Sequence, residues 1–403
     1  MGAIPDSPGR SRTQSIPALA SIASIITVAF MGSVIITPLY TLYQRKFGFS
    51  EITLTLIYAV YVVGNVAALL LFGQISDQIG RKRSALPAIL LAAFSAVLFM
   101  LAPGTLFLFL GRLLIGLAVG VASGTGTAWL AEEFGPDERQ KGTLSAATAN
   151  LSGIALGPLV GGLLAQYAPW PLQLPFIVYI AMLMAVAIAI SRVTVTRDPQ
   201  VAKLSEVRVH PRIGVPRDLL GAFAAPAVTG FAIFALGGLY FSLIPSVVVR
   251  DLHEANIAVS GFIVFEFGIL AAALLVVSRR LRPETAMTAG LVALLPAVAL
   301  VVVAQAARSM PLLILATAFA AVALGLGYRG SLQVVNEIAP DDRRAEVVSS
   351  YYISCFLGNA VPVIGLGVLS TLTTALTGSI VFAATIAALG IGALLWRRSS
   401  GHA

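Results

Sequence analysis

Along the 403 residues, long apolar runs alternate with short polar or charged breaks. Runs bounded by charges or by Pro/Gly breaks give spans at 17–43, 52–73, 84–102, 105–131, 142–166, 171–191, 219–249, 258–278, 285–304, 310–335, 345–370 and 374–396. A helix needs about 20 apolar residues to cross a bilayer. The runs are continuously apolar rather than alternating with a period of two, which excludes a transmembrane barrel. The pattern predicts an all-α polytopic membrane protein with 12 transmembrane helices.

Composition agrees. The chain is 58% hydrophobic and 11% charged, whereas a soluble domain is about one quarter charged. A soluble enzyme core is excluded. The net charge of +8 does not indicate a nucleic-acid partner, because the basic residues form short clusters between spans. Taking the N-terminus as cytoplasmic, 20 of the 26 Lys and Arg fall on that side, and four (Arg45, Lys46, Arg250, Arg308) fall on the other. The positive-inside rule then puts both termini in the cytoplasm. The first fifteen residues are polar, and the run after them is too long for the core of a cleaved signal peptide. Compact loops and the lack of an organelle signal point to a multi-pass protein of a bacterial cytoplasmic (inner) membrane.

The longest polar stretch divides the chain near its middle. The expected organisation is a cytoplasmic tail (1–16), a six-helix bundle (17–191), a cytoplasmic linker (192–218), a second six-helix bundle (219–396) and a C-terminal tail (397–403). An internal repeat supports this division. A shift of 204 residues places Glu133, Pro136, Asp137, Arg139, Ser145, Pro158 and Gly161 on Glu337, Pro340, Asp341, Arg343, Ser349, Pro362 and Gly365. Two halves in the same orientation, related by an axis along the membrane normal, are an arrangement of secondary transporters.

The loop after the second span reads Gly73-Gln74-Ile75-Ser76-Asp77-Gln78-Ile79-Gly80-Arg81-Lys82-Arg83. Its glycines permit a tight turn, and its basic triplet suits anionic headgroups. The string resembles the signature loop of the major facilitator superfamily, with Ile75 in place of the usual leucine. That resemblance implies two pseudo-symmetric six-helix bundles. It also implies a cytoplasmic gate in which Asp77 and Arg81, with Gly73 and Gly80 shaping the turn, join Glu132 or Glu133 at the end of span four.

Two further strings extend the resemblance. Span four carries Gly111-Arg112-Leu113-Leu114-Ile115-Gly116, with an arginine about two turns inside an apolar helix. An intramembrane charge suggests function, and likeness to the family's second motif implies a part in proton coupling for Arg112, although Ile115 stands where that motif has glutamine. Span five contains Gly153-Ile154-Ala155-Leu156-Gly157-Pro158-Leu159-Val160-Gly161-Gly162. Glycines at 153, 157 and 161 form a flat stripe for close helix packing, and Pro158 kinks the helix. The full string resembles the motif of the family's drug:proton antiporters.

Of the 18 acidic residues, only Glu266 lies mid-run in an apolar span. Burial disfavours the charged form of a carboxyl group, a property that a proton-exchanging site needs. The family architecture packs spans five and eight together, which implies that Glu266 lies near the glycine stripe and binds the coupled proton. Arg329, near the cytoplasmic end of span ten, reads as a snorkelling residue. The same architecture lines a central cavity with spans one, four, seven and ten, nominating Tyr40, Gln44, Thr125, Thr127, Phe234, Tyr240, Tyr328 and Gln333. Aromatic faces and neutral hydrogen-bonding groups suit lipophilic or amphipathic solutes.

Other chemistries find no support in the sequence. The chain has no P-loop, its histidines (His210, His253, His402) fall outside the spans, and its single Cys355 can form no disulfide within the chain. No metal site, enzyme activity or cofactor beyond the proton as coupling ion is expected. The sequence thus reads as a monomeric, proton-driven exporter of small lipophilic molecules (drug efflux, multidrug resistance) working by alternating access. The alternative is a proton-coupled uptake symporter for a neutral nutrient or metabolite.

Overall fold

The computed structural model describes residues 16–72, 75–134, 138–193 and 213–400. Gly73, Pro136, Asp137 and most of the 192–218 segment lie outside the described residues, as do the side chains of Asp77 and Arg139. Among the described residues, twelve helical spans are long and apolar enough to cross a membrane: α1 (Ile16–Phe47), α2 (Glu51–Leu70), α3 (Arg81–Met100), α4 (Thr105–Phe134), α5 (Lys141–Tyr167), α6 (Leu174–Ser191), α7 (Arg217–Ser242), α8 (Ile257–Arg280), α9 (Pro283–Ala306), α10 (Met310–Ile338), α11 (Arg344–Leu372) and α12 (Ala375–Arg397). In hydrocarbon every backbone N–H and C=O must be bonded within the chain, and a helix does this locally.

The departures from regular helix sit at prolines and glycines. In α1, regular helix runs to Val34, a 3-10 turn over Thr37–Leu39 carries Pro38, and helix resumes at Tyr40–Phe47. The seventh span is shorter than the expected 219–249. It stops at Ser242 and is followed by a short turn (Ile244–Ser246) and a π-turn (Val247–Asp251). Pro245 accounts for the break, because it has no N–H to give to the carbonyl of Phe241 four residues earlier. That carbonyl instead accepts a bond from Thr37 Oγ1 at 3.2 Å. A second π-turn, Ala323–Gly327, interrupts α10 where Gly325 and Gly327 press on α8, α7 and α9.

The two halves repeat one packing scheme. α1 packs on α5 and α6 as α7 packs on α11 and α12, α4 packs on α2 and α3 as α10 packs on α8 and α9, and α3 meets α6 as α9 meets α12. Contacts between halves obey the same symmetry, with α5 against α8 and α2 against α11. Adding six to each helix number converts one of these pairs into the other, as a twofold axis requires.

Candidate functional site

The signature loop is built around two local requirements. Gly80 adopts φ 95° and ψ 148°, a conformation open only to glycine, immediately before α3 begins. Arg81 then reaches across to α4, where its Nε and Nη2 donate to Glu132 Oε2 and Oε1 at 3.2 and 2.6 Å, while Nη1 donates to Ser76 Oγ at 2.6 Å. Glu132 is therefore the carboxylate that grips Arg81. The neighbouring Glu133 is buried and accepts from Trp129 Nε1 at 3.1 Å.

The glycine–proline string of α5 divides its contacts between two helices. A Cβ at Gly153, Gly157 or Gly161 would collide with the backbone carbonyls of Thr27, Met31 or Ile35, so the stripe seats α1. α8 is met by other residues. A Cβ on Gly162 would come within 3.2 Å of Gly261 Cα, one on Gly261 would strike the carbonyl of Pro158, and one on Gly268 would lie 2.9 Å from Ala155 Cα. Spans five and eight pack closely, as expected, but through Ala155, Pro158 and Gly162.

This packing fixes where Glu266 points. By helix geometry Glu266 lies about 140–160° around α8 from Gly261 and Gly268. It shares a face with the exposed Phe262, Ile269 and Leu270. The expectation that Glu266 lies near the glycine stripe is therefore corrected: the stripe faces α1, and Glu266 faces away from α5. Its side chain is half-buried, and its Oε2 is enclosed without a hydrogen-bond partner.

Arg112 is fully buried in α4. Its Nη1 donates to the carbonyl of Ser33 in α1, and three tyrosine rings surround the guanidinium, with centroids at 5.5 Å (Tyr40), 5.1 Å (Tyr58) and 5.4 Å (Tyr61). An arginine in a membrane helix costs about 2.5–3.5 kcal/mol to insert, and cation–π contacts return about 0.5–2 kcal/mol each. The rings thus offset the insertion cost without any carboxylate. Neither Nε nor Nη2 has an acceptor at hydrogen-bond distance, and the Tyr40 hydroxyl makes only a long contact with the guanidinium. Tyr58 and Tyr61 were not singled out in the sequence, although their i, i+3 spacing in an apolar helix puts both on one face. No hydrogen bond or ion pair joins Arg112 to Glu266 among the described residues.

The eight nominated cavity residues do not form one cluster. Tyr40 belongs to the Arg112 cage, and Gln44 Oε1 accepts from Ser246 Oγ at 3.3 Å. Tyr240 stacks on Phe267 at 4.4 Å and bonds Thr317 at 3.1 Å. Thr125 is buried and Thr127 half-buried. Phe234 and Tyr328 do come together, at 5.6 Å, and Phe356 and Tyr352 of α11 extend them into an aromatic group. Gln333 is half-buried, with an unpartnered Oε1. Arg329 extends to the end of α8. It is buried, and its Nη2 donates to the carbonyls of Arg279 and Leu281 at 2.9 and 3.1 Å, closing the end of α8.

At the end of the bundle opposite the chain termini, polar side chains tie the halves together. Arg250 Nη1 bonds Glu51 Oε1 at 2.8 Å, Arg250 Nε bonds Asp251 Oδ1 at 2.8 Å, and Gln305 Nε2 donates to Asp251 Oδ2 at 2.6 Å. Burial works against the charge on Arg250, yet the bonds to Asp251 and the charge of Glu51 outweigh it and hold its pKa above the ordinary arginine value. Further bonds across the boundary run from Asn256 to Tyr167 at 2.9 Å and from the Ile52 amide to Thr371 at 3.3 Å. Deeper in the bundle, Tyr58 donates to Asn359 Oδ1 at 2.9 Å.

Twelve apolar helices among the described residues, in two like halves that meet chiefly along symmetric helix pairs, define a multi-pass membrane transporter. The sequence profile of the Major Facilitator Superfamily matches residues 22–363, and the chain belongs to that family, whose members are transporters rather than enzymes. Among its relatives, the chloramphenicol resistance protein CraA of Acinetobacter baumannii is 26% identical over 234 residues, covering 57% of this chain and 54% of that one. The bacillibactin exporter of Bacillus subtilis is 29% identical over 162 residues, 38% of this chain and 39% of that one. The chain thus matches about half or less of the length of these relatives. A bacterial homologue of the human lysosomal transporter Spinster has the same fold, with a TM-score of 0.74 at 15% identity over 96% of this chain and 98% of that one. The peptide transporter POT aligns with a TM-score of 0.76 at 15% identity over 96% and 94%.

Proposed function

We propose that this protein is a proton-driven exporter of small lipophilic or amphipathic molecules in a bacterial cytoplasmic membrane, with both termini in the cytoplasm. The observation that carries the reading is the double use of the α5 string. Gly153, Gly157 and Gly161 seat α1, while Pro158 and Gly162 seat α8 of the other half. The string resembling the drug:proton antiporter motif is thus the joint between the halves, where coupling between solute and proton must act. Resistance and export proteins among the relatives favour the same direction of transport.

In this reading the Glu51–Arg250–Asp251–Gln305 network holds the outer end closed, and Arg81–Glu132 stiffens the cytoplasmic side of the first half. Glu266 binds the coupled proton. Its half-buried carboxyl group, with Oε2 lacking a partner, can gain and lose a proton without breaking an ion pair.

The test uses protein in liposomes with an imposed proton gradient, comparing wild type with Glu266→Gln while following lumenal pH and a panel of lipophilic cations and neutral drugs. Proton movement opposite to solute, lost in the variant, is expected. Proton and solute moving together would overturn the exporter reading, and intact antiport in the variant would remove Glu266 from it.

A further inference from the structure

Arg112 has no acid to answer its charge within the membrane-spanning part of its own half. α1, α3, α5 and α6 contain no Asp or Glu, α2 has only Glu51 at its first position, and α4 has only Glu132 and Glu133 in its last turn. Glu132 is twenty residues from Arg112, about 30 Å along the helix, and it is held by Arg81. Glu51 is held by Arg250.

The free part of the guanidinium has a definite shape. Nη1 is spent on the Ser33 carbonyl, and the two unpartnered nitrogens are Nε and Nη2. Arg81 uses this same pair of nitrogens to hold both oxygens of Glu132. An Nε/Nη2 fork fits a planar carboxylate side-on. In Arg112 the fork is buried and met by no carboxylate among the described residues, the Tyr40 hydroxyl makes only a long contact with the guanidinium, and aromatic faces surround it.

We propose that Arg112, with Tyr40, Tyr58 and Tyr61, is the receptor for a single carboxylate group on an aromatic solute. One guanidinium balances one negative charge, the fork selects a two-oxygen planar acceptor, and the rings supply stacking surface for the rest of the molecule. Tyr58 controls access. Its hydroxyl is tied to Asn359 of α11 in the other half, so the cage wall belongs to the α2–α11 boundary. Parting of α2 from α11 frees this wall, and occupancy of the fork favours the parted arrangement. For its consequence in transport the proposal rests on the exporter reading and places aromatic monocarboxylates among the solutes carried.

The experiment measures equilibrium binding of radiolabelled 2-naphthoate to the purified full-length protein in detergent, beside the neutral 2-naphthamide and the cationic 2-naphthylmethylammonium. Naphthoate is expected to bind at least about tenfold more tightly than either analogue. Arg112→Gln should lose that advantage, bringing naphthoate to no more than the affinity of the amide, and Arg112→Lys, which keeps the charge without the fork, should fall between. Tyr58→Phe, which keeps the ring and releases Asn359, should raise naphthoate affinity severalfold, and this variant carries the test if Arg112→Gln does not fold. Equal binding of acid and amide to wild type would overturn the proposal. So would wild-type naphthoate affinity in a folded Arg112→Gln, or a Tyr58→Phe protein that binds no more tightly. Flux of the same probes in liposomes under a proton gradient is read separately. Binding in detergent with no proton-driven flux of these probes or of the cations and neutral drugs would sink the exporter reading and leave the carboxylate site standing.

Discussion

Thr37 Oγ1 donates to the carbonyl of Phe241 at 3.2 Å, and these residues are separated by the same 204 positions that superpose the two halves of the sequence. A residue can touch its own repeat counterpart only where the symmetry axis passes between them. The bond therefore marks the pseudo-twofold axis, at the point where Pro38 breaks α1 and Pro245 frees the acceptor. Thr37→Val keeps the shape and removes the donor, leaving a carbonyl in a buried setting unpaired. The expected loss is about 1–3 kcal/mol in unfolding from mixed micelles, and Thr37→Ser should recover most of it.

The α5–α8 joint depends on the absence of side chains. Gly261→Leu should drive the helices apart, costing about 1–3 kcal/mol or more by overpacking and abolishing crosslinking between cysteines placed on α5 and α8. Gly365→Ala is the control, because a Cβ there meets nothing within 4 Å. Its stability should match wild type, despite Gly365 being the repeat counterpart of Gly161.

Arg250 and Glu51 join the halves at the end away from the termini, with side-chain exposures of 45% and 14%. Exposure of the arginine limits the pair, so a double-mutant cycle of Arg250→Gln and Glu51→Gln should give a coupling of about 0.5–1 kcal/mol. Spin labels across this end should show a larger population of separated distances in either single variant. An unchanged distance distribution would remove the pair from any part in closing that end.

Arg81→Lys retains the charge and loses the two-pronged grip on Glu132. Faster hydrogen exchange in the first turn of α3 is expected, by about threefold or more, equivalent to about 0.6 kcal/mol. Glu132→Gln should act in the same direction, whereas substitution of the exposed Glu138 should leave the turn unaffected.

Much of this protein was legible in its sequence because lipid imposes simple rules. Backbone bonding in hydrocarbon forces each long apolar run into a helix, so the spans and their order follow from hydropathy alone. Repeated spacing around Glu133 and Glu337 disclosed the duplicated halves, and the position of Gly80 disclosed a turn that no other residue can make. The family resemblance brought Arg81 to the end of span four but left Glu132 and Glu133 open, and the structure selects Glu132.

Only the tertiary structure decided which helix each face meets. In a soluble protein the buried face of a helix is its apolar face, but in a membrane helix every face is apolar and the pattern carries no direction. Hence the glycine stripe of α5 could be found by its spacing but not assigned to α1, and Glu266 could be singled out but not oriented. The Arg112 cage was hidden for the same reason. Its walls come from α1 and α2, residues 40, 58 and 61, and tyrosines in an apolar run look alike until the neighbouring helices bring a charge to their faces.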